Sequence, residues 1–194
     1  MPTLLVLSVL FLASLAILLG RKIGYKRAAI IVLAVFLAEA AFVGLRNRLF
    51  AYETPEEAFS AAHFRQCQVK TVLVGEKTSF VQGWDGQKGL YKILEKTDRG
   101  WIVGNALSDD CRTLFFSDTC SALVFHKEGT DDYYVMVKFP LAGEHSVTDN
   151  RGSAFQKTAW DDGPEYTTYI CQWQDGYSVV VDGITYASLY DVAA

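Results

Sequence analysis

Two stretches of almost pure hydrocarbon, separated by seven residues, limit what the first quarter of this chain can become. Residues 3–20, "TLLVLSVLFLASLAILLG", carry no charge, and residues 28–45, "AAIIVLAVFLAEAAFVGL", carry only Glu39. As a helix, a run of about 18 residues rises roughly 27 Å, close to the hydrocarbon thickness of a bilayer. Lipid offers backbone amides no partner, so an apolar run at that depth must be helical. A cleaved leader needs a cationic start, and "MPT" supplies no Lys or Arg. Two adjacent runs without a polar face also argue against a helix in the core of a soluble domain. Residues 1–48 are therefore predicted to form a transmembrane hairpin whose first partner is the bilayer. Ala13, Ala16 and Gly20 in one run, and Ala34, Ala38 and Ala41 in the other, recur at helical spacing. Small residues on such a stripe let two helices approach closely, although Ala is also common in any apolar helix.

Charge sets the orientation of that hairpin. The linker "RKIGYKR", residues 21–27, has four cations, the N-terminal tail none, and the segment after the second run two, Arg46 and Arg48. Cations resist translocation, so the linker is expected inside and both termini outside the cytoplasm. Residues 1–48 hold six basic groups against one acidic, a net of +5; residues 49–194 hold 12 against 21, a net of −9. An acidic domain lacks the basic footprint that nucleic acid requires. All four cysteines, Cys67, Cys111, Cys120 and Cys171, lie in it, an even number that suits disulfides in an oxidising compartment. Glu39 is the one ionisable side chain within either run and a candidate intramembrane contact. Its rival roles are plainer: to stay protonated, to reach the interface, or to bond a hydroxyl such as Ser8.

Beyond the hairpin, residues 49–194 read as one extracytoplasmic β-rich domain. "TPEEAF" sets Thr54 three residues before Glu57 as a capping box, with Pro55 at the first helical position, so a short helix is expected over about 55–65. Apolar or β-branched runs follow at about 70–74, 79–84, 89–94 and 101–104, separated by Gly75, Asp85-Gly86 and Asp98-Arg99-Gly100. A second block, 112–139, breaks at Ser117-Asp118 and Glu128-Gly129; a third, 166–190, contains Asp175-Gly176 and Asp182-Gly183. Turn signals this regular indicate antiparallel sheet, curved or sandwiched. Residues 140–165, with Gly143, Gly152, Gly163 and Pro164, read as a long surface loop. The expected fold class is thus two transmembrane α-helices plus an α+β domain of one short helix and a mainly antiparallel sheet. Strand alternation through "TTYICQWQ" sends Tyr169, Cys171 and Trp173 to one apolar face. Four cysteines allow three pairings; Cys111 with Cys120 and Cys67 with Cys171 is the preferred one.

The helix start "TPEEAF", the hairpins after it and then "KTDRGW" resemble a pattern in small membrane-linked proteins of unknown function from Gram-positive bacteria. The resemblance covers about residues 53–104 and brings no activity with it.

Chemistry is harder to find. The chain has no G-x-S-x-G, H-E-x-x-H, phosphate-binding Gly loop or Ser-x-x-Lys pair. His63, His126 and His145 lack metal-ligand spacing, and the Asp pairs at 109–110, 131–132 and 161–162 lack calcium-loop spacing and read as solvated turns. Cys67 follows His63 and Arg65, yet a helix C-terminus opposes a thiolate, which favours a structural role. No catalytic, cofactor-binding or metal-binding residue is singled out, and no cofactor is expected. Trp84, Trp101, Trp160 and Trp173 suit a β-domain core; Trp160, in the polar stretch "AWDDGPEY", is the candidate for an exposed aromatic contact to a protein or a cell-envelope sugar. The reading is a membrane-anchored binding or interaction module displayed outside the cytoplasm. The alternatives are an accessory subunit of a membrane complex that uses the hairpin and, behind it, a hydrolase without a recognisable motif.

Overall fold

The computed structural model describes residues 24–27, 30–35, 50–63, 67–104 and 109–189. The chain separates into two units, Met1–Phe50 and Ala51–Ala194. In the first, residues 25–27 and 30–35 are helical, and Tyr25, Ile30 and Leu33 are exposed. The remainder of both expected spans, Glu39 included, lies outside the described residues. Among the described residues no helix is long and apolar enough to cross a membrane.

Among the described residues the second unit contains one helix and twelve strands. Helix α1, Pro55–Ala62, starts where the capping pattern places it: Thr54 Oγ1 accepts from the Glu57 amide at 3.3 Å. The Glu57 carboxylate reaches one residue further back than an ideal capping box and accepts from the Glu53 amide. The helix is shorter than expected because His63 leaves the helical conformation as its C-cap, with its ring nitrogen on the Phe59 carbonyl.

The first sheet is a meander of β1 (Gln68–Val74), β2 (Thr78–Trp84), β3 (Gly89–Thr97) and β4 (Gly100–Ile102), all antiparallel in sequential order. The anticipated turns join them. Asp85 Oδ1 accepts from the amides of Gln87 and Lys88. At the Asp98-Arg99-Gly100 turn, Gly100 has φ +121° and would drive a Cβ into the Tyr52 carbonyl, so only glycine fits. The central sheet has the order β5-β6-β7-β10-β9, from β5 (Asp109–Phe116), β6 (Ser121–Lys127), β7 (Asp132–Lys138), β9 (Gln156–Thr158) and β10 (Glu165–Cys171). A third sheet, in the order β12-β11-β8, combines β8 (Val147–Asp149), β11 (Ser178–Val181) and β12 (Ile184–Ala187). Asp182 and Gly183, both at positive φ, close the β11–β12 hairpin as an Asp-Gly pair should.

The segment 140–165 is therefore not a plain loop. It contributes β8 to the third sheet and β9 to the edge of the central one. Three-residue strands carry too little alternation to stand out in a sequence.

Alternation explains the layering. On β2, Val81 joins Phe59, Ala58, Leu94 and Trp101 under α1, while Phe80 meets Ile93 and Tyr134 on the opposite face. On β7, Tyr134 faces the first sheet, while Tyr133, Val135 and Val137 join Val179 and Val181 against the third. The central sheet is thus covered on both faces. Its largest core runs toward the third sheet. Fully burying a side chain such as Phe59 or Phe80 contributes about 1.5–3 kcal/mol.

Candidate functional site

The layer between the first and central sheets is polar to an unusual degree. Thr71, Thr78, Gln82, Asp132, Thr158, Glu165 and Thr167 are all buried. Burying an isolated carboxylate is costly unless charge-assisted hydrogen bonds replace its water. Two carboxylates meet that condition, at opposite ends of the seam.

Asp132, only 1% exposed, sits at the start of β7 and grips the β1–β2 turn. It accepts from the amides of Glu76 (3.0 Å), Lys77 (2.8 Å) and Thr78 (2.6 Å), from Thr78 Oγ1 (2.9 Å) and from Tyr169 OH (2.7 Å). Burial pushes its pKa up, but the bonds from Tyr169, Thr78 and the turn amides outweigh burial and hold it below the usual carboxylate range. Burial and the same carboxylate keep the Tyr169 phenol protonated far above its ordinary range. Gly75 is required beside it, since a Cβ there would meet the Asp132 carboxylate and the Tyr134 hydroxyl within 2.8 Å. This arrangement is a structural latch: every lone-pair direction is used within the fold.

Glu165, 0% exposed, opens β10 at the other end. Its carboxylate accepts from Tyr91 OH (2.6 Å), Gln82 Nε2 (3.0 Å) and Trp160 Nε1 (2.7 Å), with Lys138 Nζ at 3.4 Å. The Gln82 carbonyl in turn accepts from Thr158 and Thr167, and Thr158 bonds Thr71 across the seam. Burial, together with Glu165, raises the Tyr91 phenol far above its ordinary pKa, so it donates at any accessible pH. Burial would lower Lys138, but its bonds to Asp162 and Glu165 raise it instead, and it stays cationic.

The Glu165 end lies beside an opening to solvent. A small, open depression of about 70 Å³ is lined by Lys70, Trp84, Ala159, Trp160 and Asp161. Both indoles are half-buried, with ring centroids 5.8 Å apart and planes tilted by 39°. Trp84 ends β2, where alternation from Phe80 and Gln82 turns it toward the central sheet. Trp160 lies in the 159–164 connection, whose shape is fixed by Gly163. That residue has φ +124°, and its Cβ position lies 2.0 Å from the Phe139 carbonyl, so no side chain fits. The Gly163 amide bonds the Trp160 carbonyl, and the Phe139 amide bonds the Pro164 carbonyl. The Trp160 N–H is already consumed by Glu165, so what the ring offers to the outside is its face. The sequence singled out Trp160; it did not single out Trp84, Lys70 or Glu165. Trp84 was legible as a strand end. Glu165 would have been found only by noticing that Glu165, Thr167 and Tyr169 share one face of a buried strand.

Other expectations need correction. The cysteines are free thiols and the preferred pairs are not formed. Cys120 lies beside Ser117, six residues along β5 from Cys111, roughly 20 Å at strand rise, whereas a disulfide needs Cα atoms within about 7 Å. Cys67 precedes β1 and packs under α1; Cys171 Sγ lies 3.6 Å from Glu76, beyond the far end of β1, roughly 24 Å away. Cys171 therefore faces a carboxylate rather than an apolar layer. Trp173 does not share its face either: Gln172 has φ +61°, which breaks the alternation and turns Trp173 onto Tyr133 and Tyr177. The Asp131-Asp132 pair is no solvated turn, since Asp132 is the latch just described.

The histidines have separate partners. His63 packs on Phe59; His126 stacks on Tyr133 and bonds the Thr130 carbonyl; His145 stacks on Phe139 and bonds Asp182 at 2.8 Å. Among the described residues no group of three or more His, Cys, Asp or Glu could hold a metal ion. Asp109 is tied to Lys92 and Lys127, Asp110 to Arg112, and Asp162 to Lys138. No protein-family model, curated protein or solved structure matches the chain.

Proposed function

We propose that this is a membrane-anchored binding module whose contact surface is the Trp84–Trp160 depression, displayed outside the cytoplasm. The observation that carries the reading is the indole pair: two half-exposed aromatic side chains side by side at one end of the polar seam, one of them pinned through its N–H by buried Glu165. An aromatic face held by a buried hydrogen-bond network, as Trp160 is, loses little freedom on binding, as recognition surfaces require. Both Glu165 oxygens are engaged within the fold, Oε1 by Tyr91 and Lys138 and Oε2 by Gln82 and Trp160, which favours a positioning role over acid–base chemistry. The apolar runs at 3–20 and 28–45 supply the anchor, and the cationic linker supplies the orientation.

Co-sedimentation of the detergent-solubilised full chain with insoluble envelope material tests the reading. Binding that falls at least fivefold in both Trp84→Ala and Trp160→Ala supports it; binding that is absent, or indifferent to both, overturns it. A second reading, an inward-facing accessory subunit, draws on one specific observation. Four free thiols match a reducing compartment, so the cysteines no longer speak for an outward domain.

A further inference from the structure

Resting on that reading of the depression, we infer that its ligand is an uncharged sugar ring belonging to a glycan chain. An exposed aromatic face attracts either a cation or the C–H face of a polar ring, so the indoles alone leave two chemistries open. The rim decides between them. Lys70 and Asp161 both line the depression, a donor and an acceptor of opposite sign. A hydroxyl both donates and accepts, so ring hydroxyls can use the two side chains together. A quaternary ammonium would gain from the indoles and from Asp161 but would be set against the Lys70 ammonium.

An anionic polymer fares worse. Asp161 and Asp162 stand beside Trp160, and residues 49–194 carry a net charge of −9, a field that repels polyanions on approach. Lys138, on the Glu165 carboxylate that holds Trp160, is already committed to Asp162 and Glu165. Shape agrees as well: the depression is small and open, about 70 Å³, which suits the face of a ring lying across it and not a ligand enclosed by it. The Trp160 N–H is turned inward to Glu165, so that indole meets a ligand with its face.

The test uses the full chain in a polyoxyethylene detergent, because glycosidic detergents present sugar rings themselves. Co-sedimentation with insoluble peptidoglycan is measured alone and against three soluble competitors at roughly millimolar concentration: a neutral N-acetylglucosamine tetramer, choline chloride and polyglutamate. Tryptophan fluorescence is followed with the tetramer alone. The expected result is that the tetramer competes and shifts the emission while choline and polyglutamate do not. Lys70→Ala and Asp161→Asn, both at exposed positions, should each weaken tetramer binding a few-fold, and Trp160→Phe should weaken it less than Trp160→Ala. Capture that requires Trp84 and Trp160 but is displaced by choline or polyglutamate instead would overturn the sugar assignment and leave the binding surface standing. Capture indifferent to both tryptophans and to Lys70→Ala would overturn the surface itself, and the sugar assignment with it.

Discussion

Removing the Asp132 carboxylate should cost this domain more than any other single polar deletion in the seam. Asp132→Ala strips the partner from the Thr78 amide, which is fully buried, and from Tyr169 OH, which is partly buried. The Thr78 hydroxyl can fall back on Tyr134 OH at 2.9 Å, and the Glu76 and Lys77 amides belong to exposed residues that water reaches. Each orphaned buried donor costs about 1–3 kcal/mol, and bonds to a charged acceptor lie at the upper end. The expected loss is therefore about 3–5 kcal/mol, a large share of the roughly 5–15 kcal/mol that stabilises a typical domain. For a domain of this size that corresponds to a fall in Tm of roughly 10–15 °C. The four tryptophans lie between residues 84 and 173, so urea unfolding followed by tryptophan fluorescence in detergent reports on this domain and not on the anchor. Asp132→Asn keeps the shape and one acceptor and should lose about 2–3 kcal/mol. The pH dependence fixes the sign. The Asp132 pKa is depressed in the fold, so its contribution is complete above the unfolded value of about 3.9 and is lost as pH falls through the folded value. The gap between wild type and Asp132→Asn should stay constant from about pH 7 to 5 and narrow below about pH 4. A loss under about 1 kcal/mol for Asp132→Ala, or a gap that widens in acid, would refute the latch.

Two further outcomes follow from the local geometry. Gly163→Ala should destabilise the domain by at least about 2 kcal/mol in the same urea assay and blue- or red-shift Trp160 emission, because a side chain there meets the Phe139 carbonyl at positive φ. Thiol titration of the denatured, non-reduced protein should return four free thiols; two or none would show a pairing that this fold does not contain.

What the sequence revealed, and what it hid, divides along a physical line. Local signals were legible: Thr54 and Pro55 mark the start of α1, and Asp85-Gly86, Asp98-Arg99-Gly100 and Asp182-Gly183 mark hairpins, because each acts within a few residues. The division into three sheets was not legible, since β8 and β9 are three-residue pieces recruited by distant strands. The seam was missed for the same reason. Asp132 and Glu165 look like surface acids in sequence, and only the pairing of β7 with β10 sets them against Thr78, Gln82 and Tyr91. Trp160 drew notice because its neighbours are polar; its partner Trp84 lies 76 residues away across two sheets. The disulfide expectation failed because parity of cysteine count carries no distance information.

Orientation decides whether an envelope ligand can reach the indoles at all, and Cys111 offers a native reporter. Its thiol is exposed on β5, though burial of part of the residue and nearby Asp110 push its pKa up, so labelling is best done at mildly alkaline pH. A full-length chain retaining Cys111, with Cys67, Cys120 and Cys171 replaced by Ala, would be treated in intact cells with a membrane-impermeant maleimide. An outward domain predicts labelling before permeabilisation that does not rise after it. Labelling that appears only once the membrane is opened would place the domain inside and contradict the account.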